Sequence, residues 1–131
     1  MKPAKITVIG AGILGLTCAL VLVRKFGQDA VELIDTNGFG ANNQNASFLA
    51  GGMIAPYAEL DHMPQAYIPA GLAGIEFWAA LSKESGDQFE FQRNGSLLLA
   101  HESDRHLLTR FSSILPPDPV WKNITGEQLQ R

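Results

Sequence analysis

The chain has 131 residues, 46% of them hydrophobic, and a formal net charge of −3 at pH 7. This mild acidity provides no basic surface for nucleic acid, and a single cysteine excludes an internal disulfide framework. One cysteine also fits a reducing compartment, so we expect a cytoplasmic protein, and no stretch is apolar over a length that could span a membrane.

The first elements predicted along the chain form a β-α-β unit. Residues 5–9 (Lys-Ile-Thr-Val-Ile) predict a buried strand, and residues 30–34 predict a second strand. Between them, apolar residues recur at spacings of three and four, which is typical of a helix that lays one face on a sheet. We expect this helix to stop at Gly27, since glycine commonly follows the last helical turn.

A glycine turn at residues 10–15, Gly-Ala-Gly-Ile-Leu-Gly, connects the first strand to the helix. Gly10 permits a tight turn, Gly12 lets a pyrophosphate approach the backbone because it has no Cβ, and Gly15 lets the helix pack against the sheet. The helix N-terminus offers unpaired N–H groups and a positive dipole end to phosphates. The turn therefore predicts an adenine dinucleotide site that includes all three glycines.

Asp35 follows the second strand, twenty residues after Gly15. A carboxylate at this position can accept hydrogen bonds from both hydroxyls of the adenosine ribose, and it repels the 2′-phosphate of NADP. Because the strand, the helix and the acid all stand in the expected order, a dinucleotide site is favoured over a chance glycine-rich turn.

The next segments are a loop and an apolar stretch. Residues 36–46 are rich in Gly and Asn, which is typical of a loop. Residues 47–55 are mostly apolar, and Pro56 follows them. The Gly51-Gly52 pair inside this stretch indicates either a close approach of the backbone to a ligand or a simple bend.

A long helix and a hairpin are predicted after a short polar loop. The helix should cover residues 64–83, with Pro69 breaking or kinking it near its start and Gly86 ending it. Residues 89–93 alternate as in a strand, Asn94-Gly95 is typical of a hairpin turn, and residues 96–100 are predicted to be the return strand of a β-hairpin. A hairpin here does not continue a plain doubly wound sheet. It favours a flavoprotein with a second domain over a simple nicotinamide dehydrogenase.

The last third of the chain is predicted to contain another helix and a rigid linker. Ser103 can cap a helix, residues 116–119 (Pro-Pro-Asp-Pro) form a linker, and residues 120–121 begin a short strand. Thr125 resembles the N-cap of a helix that the end of the chain interrupts. We therefore expect this chain to be the N-terminal piece of a longer enzyme.

Four segments of the chain resemble the glycine oxidase and D-amino acid oxidase family of FAD enzymes, with the thiamine-biosynthetic glycine oxidases closest. They are residues 45–47 (Asn-Ala-Ser), 51–59 (Gly-Gly-Met-Ile-Ala-Pro-Tyr-Ala-Glu), 74–78 (Gly-Ile-Glu-Phe-Trp) and 91–100 (Phe-Gln-Arg-Asn-Gly-Ser-Leu-Leu-Leu-Ala). The resemblance covers nearly the whole chain. The segment 51–59 is more specific than the glycine turn, which many flavoproteins share.

The resemblance implies an α/β fold in two parts. Residues 1–60 would be a Rossmann-type FAD-binding portion, and residues 61–131 a helix-hairpin-helix portion that leads into an α+β substrate domain. The ADP half of FAD would lie over Ile13 and Leu14, with Asp35 on the ribose and Thr36 beside it.

The resemblance also places the loop after Asp35 against the cofactor. Ala46 and Ser47 would line the pyrophosphate, while Gly51, Gly52 and Met53 would approach the flavin ring. For Ser47 the alternative is a helix cap, and for the glycine pair it is a bend.

The implied activity is oxidation of a small amino acid, glycine or a D-amino acid, to the imino acid with oxygen as acceptor. No arginine of this chain matches the one that holds the substrate carboxylate in the family, so no catalytic residue is assigned, and no metal is expected. The full-length protein would be a homo-oligomer. The alternatives are a D-amino acid dehydrogenase or sarcosine oxidase-like flavoenzyme, and a catalytically silent FAD-binding module.

Overall fold

The computed structural model of the chain describes most residues of two separate units, Met1–Met53 and Ile54–Arg131. The described residues are 5–36, 38, 46–86, 88–116, 121–124 and 128. The assignment of residues 1–60 and 61–131 to two functional domains stays a prediction. Among the described residues, no helix combines the length and the apolar character needed to cross a lipid bilayer.

The first unit contains the predicted β-α-β arrangement. Strands β1 (Ile6–Ile9) and β2 (Val31–Ile34) pair in parallel, and helix α1 (Ile13–Phe26) connects them. The register pairs Ile6 with Val31 and Ile9 with Ile34. The N–H of Gly10 donates to the carbonyl of Ile34 at 2.7 Å, which carries the pairing one residue into the glycine turn.

Helix α1 ends as its sequence predicts. Arg24 and Lys25 occupy the last turn, where positive charge opposes the negative end of the helix dipole. Gly27 follows with a φ of +87°, and its N–H donates to the carbonyl of Val23 at 2.8 Å. A 3₁₀ turn over Gln28–Ala30, which the sequence did not predict, leads into β2.

The prediction that the first strand is buried is wrong for the described residues. Ile9 of β1 is 84% exposed, and Ile6 and Ile34 are also exposed. A sheet of two strands has two open edges, whereas parallel strands are buried only where helices and further strands cover them. The apolar residues of β1 fit a strand that is covered on both faces, and the described residues do not provide such a cover.

A short helix that was not predicted begins where the expected loop ends. Helix α2 spans Ala46–Leu49. Residues 37 and 39–45, which include most of that loop, lie outside the described residues. Gly52 then adopts a φ of +66°, a conformation that favours glycine and bends the chain.

The second unit is organised around helix α3 (Ile68–Glu84). It begins later than the sequence predicted, because residues 65–67 form a 3₁₀ turn. Pro69 lies in the first helical turn, where its missing N–H is not required, so it neither breaks nor kinks the helix. Gly86 follows the helix with a φ of +69°, as predicted.

Small and aromatic residues of α3 make its contacts. A Cβ on Gly71 would lie 2.5 Å from the Cβ of Pro56, so the helix approaches this proline as closely as a glycine allows. The ring of Trp78 meets Phe77 and Phe89 edge-on, with centroids 5.5 and 6.1 Å away. The buried Ser82 hydroxyl donates to the carbonyl of Phe89 at 3.0 Å, which holds the segment after the helix against it.

The predicted hairpin does not form. Residues 88–100 have no strand structure, although Gly95 has the positive φ, +79°, that an Asn-Gly turn requires. A two-stranded hairpin is marginal in water unless a third strand or a helix covers one face, and Leu99 here is 73% exposed. Gly95 therefore has the backbone conformation of the predicted turn, but the described residues on its two sides do not pair as strands.

Helix α4 (Arg105–Ile114) is the last helix of the described chain with a full turn, and it buries Phe111. The prediction that Ser103 caps it is wrong, because Ser103 lies within a preceding 3₁₀ turn and Asp104 is at the N-cap position. Residues 117–120 and 125–127 lie outside the described residues, and with them most of the predicted linker, short strand and final helix start.

Candidate functional site

Two glycines of the glycine turn are required by its geometry. Gly10 has a φ of +99°, which is the left-handed conformation expected of a tight turn. A Cβ on Gly15 would lie only 1.8 Å from the carbonyl oxygen of Gly10. Helix α1 can therefore start this close to the end of β1 only because residue 15 has no side chain.

Gly12 is constrained by space and not by its backbone conformation. Its φ of −72° and ψ of 178° are extended values that any residue can adopt. A Cβ on Gly12 would lie 3.3 Å from the hydroxyl oxygen of Ser47, which is tighter than ordinary contact. The sequence predicted that Gly12 leaves room for a pyrophosphate, which stays a prediction, and in the structure the missing Cβ leaves room for the Ser47 hydroxyl.

Asp35 contacts the glycine turn directly. Its Oδ2 accepts a hydrogen bond from the backbone N–H of Ala11 at 2.7 Å, in a partly buried position. The sequence predicted that Asp35 binds the ribose hydroxyls, and it did not predict this contact with Ala11. The register could have indicated it, since Ile9 pairs with Ile34 and the residues that follow both strands must then be neighbours.

Ser47 reaches the start of helix α1. Its Oγ accepts a hydrogen bond from the N–H of Ile13 at 2.9 Å, while Gly12, the N-cap residue, has no side chain for this task. Ser47 is the second residue of α2, so it does not cap its own helix. Instead it caps α1 from a position 34 residues later in the chain. The alternative prediction for Ser47, a helix cap, is therefore confirmed, and the capped helix is α1.

The glycine turn keeps several N–H groups available for an anion. Leu16 makes the first helical hydrogen bond, to the carbonyl of Gly12 at 2.9 Å. Among the described residues, the N–H groups of Gly12, Leu14 and Gly15 have no acceptor within hydrogen-bonding distance. Such groups at the positive end of a helix dipole attract phosphate oxygens.

The other predicted site residues are accessible, but they make fewer contacts. Leu14 is 80% exposed beside the turn, and Ile13 is also exposed. Thr36, Ala46 and Gly51 lie at the surface as well. The described residues include no hydrogen bond that joins these five side chains or backbones to one another, so their predicted roles remain predictions.

The segment predicted to approach a flavin ring is open. No atom of the described residues outside the chain neighbours would lie within 4 Å of a Cβ at Gly51 or Gly52, and Met53 is 72% exposed. The positive φ of Gly52 fits the alternative of a bend and leaves a close ligand approach possible. No group of three or more His, Cys, Asp or Glu side chains in the described part of the chain could hold a metal ion.

These features fit an adenine dinucleotide. The available N–H groups suit a diphosphate, the missing Cβ of Gly12 leaves space beside them, and the Asp35 carboxylate lies at the adjoining strand end. The site needs no lysine or arginine in the turn, because the helix N-terminus supplies the positive potential.

Comparison with known proteins agrees with this fit. The family model of the FAD dependent oxidoreductases, DAO, matches residues 5–129. A Rhizobium etli protein with the provisional name thiamine biosynthesis oxidoreductase ThiO is 33% identical over 109 residues, which are 82% of this chain and 30% of that relative. The chain therefore spans about a third of the relative's length, and no solved structure matches it.

The family match extends over nearly the whole chain and includes the glycine turn, Asp35 and Ser47. Its members depend on FAD, so the cofactor of this chain is FAD. The chain belongs to the DAO family of FAD-dependent oxidoreductases.

Proposed function

We propose that the protein to which this chain belongs oxidises a small amino acid, glycine or a D-amino acid, with molecular oxygen as the electron acceptor. The observation that carries the proposal is the glycine turn as a site for the ADP half of FAD. In this turn the Asp35 carboxylate accepts a hydrogen bond from the N–H of Ala11, and the Ser47 hydroxyl accepts one from the N–H of Ile13. The identity of 33% to a relative named as a thiamine biosynthesis oxidoreductase supports the glycine oxidase type.

The residues of the first unit have separate proposed tasks at this site. The N–H groups of Gly12, Leu14 and Gly15 receive the diphosphate oxygens. Asp35 accepts hydrogen bonds from the ribose hydroxyls, and its negative charge disfavours a 2′-phosphate. The backbone around Gly51 approaches the flavin end of the cofactor.

The proposed reaction is a two-electron oxidation of the amine. The carbon next to the carboxylate loses a hydride and the amine loses a proton, a carbon–nitrogen double bond forms, and water hydrolyses the imino acid to an oxo acid and ammonia. When bound, FAD supplies the acceptor for the hydride. Oxygen finally takes up the two electrons and two protons and leaves as hydrogen peroxide.

The experiment measures hydrogen peroxide and oxygen consumption by the complete protein with glycine, D-alanine or sarcosine as substrate. Peroxide formation from glycine or D-alanine supports the proposal. Turnover that requires a quinone or dye acceptor would indicate a dehydrogenase instead, and a preference for sarcosine would indicate a sarcosine oxidase type. A protein that retains FAD but oxidises none of these amines contradicts the proposed substrate class.

A further inference from the structure

Two side chains from later parts of the chain each accept an N–H group of the glycine turn. The Asp35 carboxylate accepts the N–H of Ala11 at 2.7 Å, and the Ser47 hydroxyl accepts the N–H of Ile13 at 2.9 Å. The partners are separated by 24 and 34 residues along the chain. Both contacts join groups of this chain to one another.

We propose that Asp35 and Ser47 are positioning residues that clamp the glycine turn in its FAD-binding shape before FAD arrives. The clamp means these two hydrogen bonds together. The proposal rests on the turn as the FAD site of the family and does not depend on the substrate.

The turn needs such a clamp because of its composition. Glycine loses more conformational freedom on ordering than any other residue, and Gly10 and Gly12 lie on both sides of Ala11. A turn that became ordered only on binding would subtract this entropy from the affinity for FAD. If the turn is already ordered before binding, this entropy is lost when the protein folds and is not subtracted from the affinity for FAD.

The clamp uses N–H groups that the diphosphate does not need. It takes those of Ala11 and Ile13, and it leaves those of Gly12, Leu14 and Gly15, which have no acceptor among the described residues. The clamp and the cofactor therefore occupy different donors of the same turn. A clamp that competed with the cofactor would have to open on binding.

Ser47 also connects a second segment to the turn. It lies in helix α2 (Ala46–Leu49), and the segment with Gly51 and Gly52 follows directly. Its hydroxyl would lie 3.3 Å from a Cβ on Gly12, so the contact is possible only with glycine at that position or after a shift. The hydrogen bond to Ile13 thus fixes the start of α2 at the N-terminus of α1.

The test is amide hydrogen exchange of the full chain without FAD, measured by NMR, together with FAD affinity from fluorescence quenching. Ser47→Ala should speed the exchange of the Ile13 amide and weaken FAD binding, each by about fivefold, the equivalent of one neutral hydrogen bond. Ser47→Thr keeps the hydroxyl and should restore both values. Thr17→Ala is the matched control, because the Thr17 hydroxyl donates to the Ile13 carbonyl at 2.7 Å and leaves the N–H untouched.

Asp35→Asn and Asp35→Ala test the other half of the clamp. The asparagine oxygen can still accept the Ala11 N–H, so this variant should retain slow exchange of that amide, whereas alanine should lose it. If the alanine variant does not fold, Ser47→Ala still decides the question, since Ser47 is exposed.

Two results would overturn the clamp. Unchanged exchange of Ile13 in Ser47→Ala would show that the hydroxyl does not hold the turn. Faster exchange with unchanged FAD affinity would show that the contact does not prepare the site. Neither measurement involves a substrate, so a protein that has the clamp but oxidises no amino acid contradicts only the proposed function.

Discussion

Gly15 is the residue at which the structure tolerates a side chain least. The Cβ of alanine would lie 1.8 Å from the backbone oxygen of Gly10, and backbone cannot rotate away as a flexible side chain can. We expect Gly15→Ala to destabilise the first unit by about 3 kcal/mol, the upper end of the usual range for overpacking.

Urea unfolding followed by circular dichroism measures this effect. Gly51→Ala serves as the control in the same unit, because its Cβ would meet no described atom within 4 Å and its φ is not in the left-handed region. Equal stability of the two variants would show that the helix can move away from the turn without loss.

Glu76 titrates below the ordinary range because of Arg93. The guanidinium hydrogen-bonds both carboxylate oxygens, one of them at 3.3 Å, and these bonds hold the pKa of Glu76 down against a smaller opposing effect of desolvation. Since the folded-state pKa is lowered, the ion pair stabilises the fold above the ordinary pKa of glutamate. This contribution is lost as the pH falls through the lowered pKa.

An NMR titration of the Glu76 carboxyl carbon checks the direction. Arg93→Gln should raise the midpoint toward the ordinary pKa of a glutamate. Arg105→Gln removes the same charge from helix α4 and should leave the midpoint in place. A Glu76 midpoint that does not respond to Arg93→Gln would mean that the ion pair is not formed in solution.

At the scale of single residues, the sequence predicted conformations better than contacts. The positive φ values of Gly10, Gly27 and Gly95 follow from local chemistry, because each glycine stands next to the end of a predicted element. The contacts of Asp35 and Ser47 depend on residues 24 and 34 positions away. Spacing alone does not determine such distances, and the strand register that indicates the contact of Asp35 is known only from the structure.

Helix α3 offers a test of packing within one element. It contains two interior glycines, Gly71 and Gly74, that differ only in their surroundings. A Cβ on Gly71 would lie 2.5 Å from the Cβ of Pro56, whereas a Cβ on Gly74 would meet nothing within 4 Å. We expect Gly71→Ala to destabilise the second unit by about 1–3 kcal/mol through overpacking.

Gly74→Ala should stabilise the same unit by about 1 kcal/mol, the difference in helix propensity between alanine and glycine. Thermal unfolding of both variants provides the comparison. If both variants gained stability, the contact between α3 and Pro56 would be looser than the structure shows.

At the scale of elements, local patterns were enough for helices but not for the hairpin. Helices α1 and α3 have hydrogen bonds within their own residues, so apolar periodicity and terminal glycines predicted both of them. Residues 88–100 need partners elsewhere in the chain for strand pairing, and the described residues do not supply them. The short helix α2 has too few residues for any periodicity to be visible.

At the scale of the whole molecule, the residues proposed for the ADP half of FAD all belong to the first unit. The glycine turn, Asp35 and Ser47 lie within Met1–Met53, and helix α3 belongs to the other unit. The sequence predicted the turn and the acid at adjoining strand ends, since both follow from one β-α-β unit, and their contact with the ADP half of FAD stays a prediction.

ADP should therefore bind without the flavin, and it should protect the first unit alone. At a concentration one hundred times its Kd, a ligand raises the free energy of unfolding by about 2.7 kcal/mol. Hydrogen exchange of the full chain should then slow in residues 5–36 and remain unchanged in residues 68–84. AMP and adenosine 2′,5′-bisphosphate are a matched pair of control ligands, since they differ only in the 2′-phosphate. The bisphosphate should bind more weakly than AMP, because its 2′-phosphate would face the Asp35 carboxylate. FMN, which lacks the adenosine half, should give no protection of residues 5–36, and protection by FMN equal to that by ADP would place the cofactor's contacts elsewhere.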